Sequence, residues 1–128
     1  MRFAPAIGGE RLLFDFDRFS KIAASVYAHS PYSLAEVLEV FRYYFEQYEA
    51  YTGAPHPPIR AGQIERIIRE MPYIDETDKV QSTMDIIPDC YYPMIDKHFR
   101  TRYRNCDYNI NHFFSGRIRE LRFYETCY

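Results

Sequence analysis

Apolar positions along most of this chain recur at helical spacing. Phe19, Ile22, Ala23 and Val26 fall at i, i+3, i+4 and i+7, which predicts a helix over about Asp17–Ala28. Asp15 or Asp17 can cap its start, and Pro31 stops it. Just before it, Arg11–Phe16 is a short apolar run that fits either a helix or a strand. The next helix is marked more strongly. Ser33 and Glu36 have the spacing of a capping box, in which the hydroxyl takes the N3 amide and the carboxylate reaches back to the cap. Leu34, Val37, Leu38, Phe41, Phe45 and Tyr48 then follow on one stripe. This helix should run to about Tyr51 and end at Gly53, where a positive φ costs little.

Pro55, Pro57 and Pro58 make a stiff connector. A third helix is predicted over Ala61–Glu70, with Ile64, Ile67, Ile68 and Met71 on its apolar face and Pro72 closing it. Residues 72–92 show no clear period and carry many acids, so they read as a long acidic connection with one irregular turn near Val80–Ile86, wrapping the core or moving. Pro93 suits the first position of a fourth helix, about Pro93–Tyr103, with Met94, Ile95, His98 and Phe99 inward. Asp107 can cap a short fifth helix, Tyr108–Ser115, ending at Gly116. The tail Arg117–Tyr128 reads better as helix than as strand.

The expected fold is therefore a mainly α, compact single-domain bundle of four to six helices over residues 1–128, packed around Leu34–Tyr51. The α+β alternative would pair short strands near Arg11–Phe16 and Leu121–Tyr124.

Composition changes this picture in one respect. Thirteen Tyr and ten Phe give 18% aromatic residues, too much burial potential for a disordered chain. An aromatic-packed core accounts for most of them, and surplus tyrosines would sit on a contact face. No apolar run approaches the length of about 18 residues a membrane span requires. Met1–Gly9 lacks a secretory pattern, and Cys90, Cys106 and Cys127 are too few and too odd for a disulfide framework. Reduced thiols in a cytoplasmic protein are the expectation.

Charge is distributed unevenly. From His98 to Tyr128 there are six arginines, no lysine and eight aromatic rings, opposed only by Asp107, Glu120 and Glu125. Glu65–Asp89 has the opposite bias, with seven acids against Arg66, Arg69 and Lys79. The whole chain is at −2, which disfavours nucleic-acid binding over its entire surface but allows a local basic patch.

Catalytic and metal signatures are missing. The cysteines and histidines at 90, 98, 106, 112 and 127 contain no close ligand pair, so no metal site is expected. Cys90 ahead of a helix, with His98 two turns on, is a weak thiol–base pattern. Gly8-Gly9 lacks the rest of any phosphate-loop fingerprint, and no cofactor is implied.

The arginine–aromatic quarter is the strongest remaining candidate. Arg100, Arg102, Arg104, Arg117, Arg119 and Arg122 offer planar forks that suit phosphate oxygens, and Tyr103, Tyr108 and Tyr124 could stack or brace. Three partners fit: the chain's own acids in Glu65–Asp89, nucleic-acid phosphates, or an acidic protein surface. The leading expectation is a small non-enzymatic binding or regulatory module that docks nucleic-acid phosphates. The alternative is a protein-interaction module, a homodimer for example, using Tyr43, Tyr44 and Tyr51 of the long helix. Ile118–Glu125, with Ile110 and Phe114 upstream, resembles the helix-turn-helix stretch of MerR-type regulators, although the spacing from Gly116 to Leu121 is one residue shorter and no function is carried over.

Overall fold

Asp15, an N-cap by its extended backbone, accepts hydrogen bonds from the amides of Asp17 and Arg18 and so starts α1, Phe16–Val26. The structure is a computed structural model that describes residues 15–28, 30–73 and 86–127. The Ser33/Glu36 capping box is formed in both directions and opens α2, Leu34–Thr52, which ends at Gly53 with φ of 82°. The third helix, α3, spans Ala61–Glu70, and Gln63 Oε1 accepts the Arg60 amide at its start. A 3₁₀ turn at Pro88–Cys90 feeds α4, Tyr91–Arg100. Ile110–Phe113 forms the short α5, and Gly116–Thr126 forms α6. The described residues form a mainly α bundle of six helices and contain no strand.

Several boundaries differ from expectation. Pro88 rather than Pro93 begins the turn into α4, and Thr101 takes an extended backbone that ends the helix before Tyr103. Asn109, not Asp107, caps α5 through a bond from the Asn111 amide. Gly116 opens α6 instead of closing α5. Leu121–Tyr124 lies inside α6, so it cannot be one of the strands of the α+β alternative. Most of Arg11–Phe16 and most of the irregular turn near Val80–Ile86 lie outside the described residues.

The elements pack as two groups joined mainly through α2. On one side α1 rests on α2 and α3; on the other α6 lies along α4, and α2 bridges to α4. Aromatic rings fill both groups. Phe19 meets Phe41 and Phe45 edge-on at 4.8 and 5.2 Å. Tyr44 lies 5.0 Å from Phe99 and 5.6 Å from Phe113. The preference of rings for edge and offset contacts accounts for this packing.

Buried tyrosines keep their hydroxyls satisfied by reaching backbone carbonyls far away in sequence. Tyr32 donates to the Ile86 carbonyl at 2.9 Å, and Tyr91 to that of Met71 at 2.6 Å. Met71, just before the acidic connection, and Ile86, within it, are thus pinned to the core. His56 joins the proline-rich connector to α5. Its Nε2 accepts the Ile110 amide at 2.9 Å, and its Nδ1 sits 2.7 Å from the Pro57 carbonyl. That arrangement needs a neutral ring with the proton on Nδ1, and burial accordingly lowers the His56 pKa to about 4.

Candidate nucleic-acid interface

The six C-terminal arginines fall into two classes. Arg119 and Arg122 lie three residues apart on α6, one helical turn, and both are buried. Arg119 Nη1 donates to the Tyr73 carbonyl at 2.6 Å and to the Tyr91 hydroxyl at 3.1 Å. Arg122 Nη1 donates to Thr101 Oγ1 at 2.7 Å. Its Nε lies 3.2 Å from Glu125 Oε1 but is not aligned for a hydrogen bond. These two guanidiniums fasten α6 to its neighbours and are not available to an external phosphate. The expectation of six solvent-facing arginines is corrected on this point.

Arg100, Arg102, Arg104 and Arg117 are exposed, and none has a hydrogen bond or ion pair among the described residues. Arg100 ends α4 and Arg117 begins α6. Arg102 and Arg104 ride on the loop 101–109, whose shape is tightly held. Asn105 and Tyr108 both have positive φ, at 54° and 59°. Asparagine tolerates that region, whereas for a bulky ring it costs about 1–2 kcal/mol and must be offset by its surroundings.

The surroundings of Tyr108 are unusually complete. Its hydroxyl donates to the Thr101 carbonyl at 2.5 Å and accepts the Tyr103 amide at 3.3 Å. Its own amide donates to Cys106 Sγ at 3.1 Å, and its carbonyl accepts the Tyr44 hydroxyl at 2.7 Å. The ring stacks on Phe99 at 5.6 Å and lies 4.7 Å from Tyr51. Tyr108 is therefore a buried brace rather than a surface stacking residue.

Beside this loop lies an open groove of about 610 Å³. Arg102, Tyr103, Arg104, Cys106, Asp107 and Tyr108 line it from the loop; Tyr51 and Thr52 line it from the end of α2. Two guanidiniums thus face one carboxylate. Tyr51 is 51% exposed, so a ring face remains for contact. Burial raises the pKa values of Tyr103 and Tyr108, so these phenols add no negative charge near neutral pH. Tyr103 is held by its hydroxyl, 3.2 Å from His98 Nδ1, and by its ring, edge-on to His112 at 4.8 Å.

The proposed tyrosine patch on the long helix does not assemble. Tyr44 is fully buried, and Tyr43 is half-buried with its hydroxyl donating to Asp96 Oδ1 at 2.5 Å. Tyr51 alone of the three is exposed, and it joins the groove. Tyr124 is exposed on α6 and does not line the groove.

The chemistry of the histidines and cysteines also falls differently from the sequence pattern. Cys90 is not set against His98. Instead, Cys106 Sγ lies 3.1 Å from His112 Nδ1. Burial raises the Cys106 pKa, which opposes thiolate formation. Among the described residues, no three His, Cys, Asp or Glu side chains are grouped to hold a metal ion. No described helix is long and apolar enough to cross a membrane.

Compared with known protein families, curated proteins and solved structures, the chain matches none. The groove's own chemistry is the remaining guide.

Proposed function

We propose that the protein is a small non-enzymatic binding or regulatory module that docks single-stranded nucleic acid along the groove beside the α4–α5 loop. Arg102 and Arg104 would take backbone phosphates, and Tyr51 would offer its exposed ring to a base. Arg100 and Arg117 would contribute attraction from outside the groove. The observation that carries this reading is the pairing of two exposed arginines, without ion-pair partners among the described residues, with an exposed aromatic ring in one groove. Cationic grooves with stacking rings are the usual means of holding single strands with little sequence preference. Arginine suits the task through its fork, which engages phosphate oxygens in pairs. The net charge of −2 limits long-range attraction, so affinity should be modest and strongly salt-dependent. A cytoplasmic location is part of this proposal.

Titration of labelled single- and double-stranded oligonucleotides across a salt series tests it. Single strands should bind more tightly, and binding should weaken steeply as salt rises. No binding to either form at low salt would remove the proposal.

A further inference from the structure

The end of α6 and the start of α4 bring together two cysteines that play no part in the groove. Cys90 closes the 3₁₀ turn that leads into α4, and Cys127 is the C-terminal cap of α6. Both are half-buried and unbridged. The Cys127 thiol donates to the Cys90 carbonyl at 3.4 Å. Burial, together with the nearby Cys90 side chain, raises the Cys127 pKa. Two half-buried cysteines 37 residues apart in sequence thus meet, the side chain of one on the backbone of the other. Cys106 is kept separate by its own partners, the Tyr108 amide and His112 Nδ1, both at 3.1 Å.

We propose that Cys90 and Cys127 are a modification site: a dithiol that a peroxide converts to a reversible intramolecular disulfide. Cys90 is the attacking thiol, because the Cys127 thiol is engaged as a donor to the Cys90 carbonyl. Its thiolate attacks one peroxide oxygen, the O–O bond breaks, and the other oxygen leaves as hydroxide and takes a proton to become water. Cys90 is then a sulfenic acid. Cys127 sulfur attacks the Cys90 sulfur, the S–O bond breaks, and the departing hydroxide takes the Cys127 proton. The two thiols lose two electrons and two protons in total, and the peroxide is reduced to two waters. The bridge closes a loop containing α4, α5, the groove loop and α6, so the oxidised protein should melt at a higher temperature.

The test treats the reduced full chain with hydrogen peroxide under native conditions, blocks remaining thiols by alkylation and maps peptides without reduction. The expected result is loss of the mass of two hydrogens, a Cys90–Cys127 cross-linked peptide that dithiothreitol splits, and an alkylated Cys106. Cys106→Ser should form the same bridge. Cys90→Ser and Cys127→Ser should form none. Should the folded wild-type protein leave Cys90 and Cys127 both alkylated, oxidise them without bridging, or bridge mainly through Cys106, the proposal is overturned.

Discussion

The helix α6 and the loop between α4 and α5 both carry arginines, and they use them in opposite ways. On α6, Arg119 and Arg122 are one turn apart and face inward, bonded to Tyr73, Tyr91 and Thr101. On the loop, Arg102 and Arg104 point away from a backbone that tyrosine hydroxyls and a thiol hold in place. The same side chain serves as a structural clamp in one place and as an available cation in the other. The difference lies in the backbone. A helix commits residues three apart to one face, and α6 needs that face to cover α4. The loop has no such obligation, and 102 and 104 remain in solvent. An arginine cluster in a sequence is therefore evidence of binding only after the helical faces have been assigned.

Acid is the harshest way to probe this contrast, because His98 lies beneath both regions. It touches Tyr103 of the loop, and Arg122 and His112 depress its pKa further after burial, to about 3. His56, near 4, is the second neutral histidine. Both folded values lie below the ordinary 6.5, so their stabilisation is full above pH 6.5 and is lost as pH falls toward 4 and then 3. The loss should reach several kcal/mol, roughly, by pH 4. Urea unfolding at pH 7, 5 and 4 measures it; a flat profile would mean that these rings are not held neutral.

The next largest effect should come from the clamps. Arg119→Ala leaves the Tyr73 carbonyl without its bond and opens space under α6, so it should cost about 2–4 kcal/mol. Arg122→Ala should cost roughly 1–3 kcal/mol, since its Glu125 partner is more exposed. Tyr44→Phe removes the hydroxyl that holds the Tyr108 carbonyl and should cost about 1–2 kcal/mol. Arg102→Ala and Arg104→Ala should each change stability by less than about 0.5 kcal/mol. Equal losses from the two arginine classes would erase the distinction between clamp and contact.

Much of the helical frame was legible in the chain. Ser33, Glu36 and Gly53 bound α2 as their chemistry predicts, and the isoleucine spacing marks Ala61–Glu70 without error. The burial of Arg119 and Arg122 was hidden because arginines count as polar in any periodicity, so α6 shows little amphipathic pattern although Phe123 is also buried. The loop was hidden for another reason. Its positive φ values fall on Asn105 and Tyr108, not on glycine, and a tyrosine there gives no local signal. The tyrosine roles were equally opaque, since Tyr44, Tyr91 and Tyr108 are fixed by partners 64, 20 and 7 residues away. Arg102, Tyr103 and Arg104 are candidates on their chemistry alone and line one groove, while the place of Tyr51 in the same groove follows only from packing.

The most direct measurement compares single-stranded oligonucleotide binding by the wild type and the double variant Arg102→Ala/Arg104→Ala across a salt series. If the loop cations meet phosphates, the double variant keeps its fold, binds more weakly and shows a log Kd against log salt slope shallower by about 1.4. An unchanged affinity and slope in a folded double variant would contradict the assignment of the groove as the contact surface.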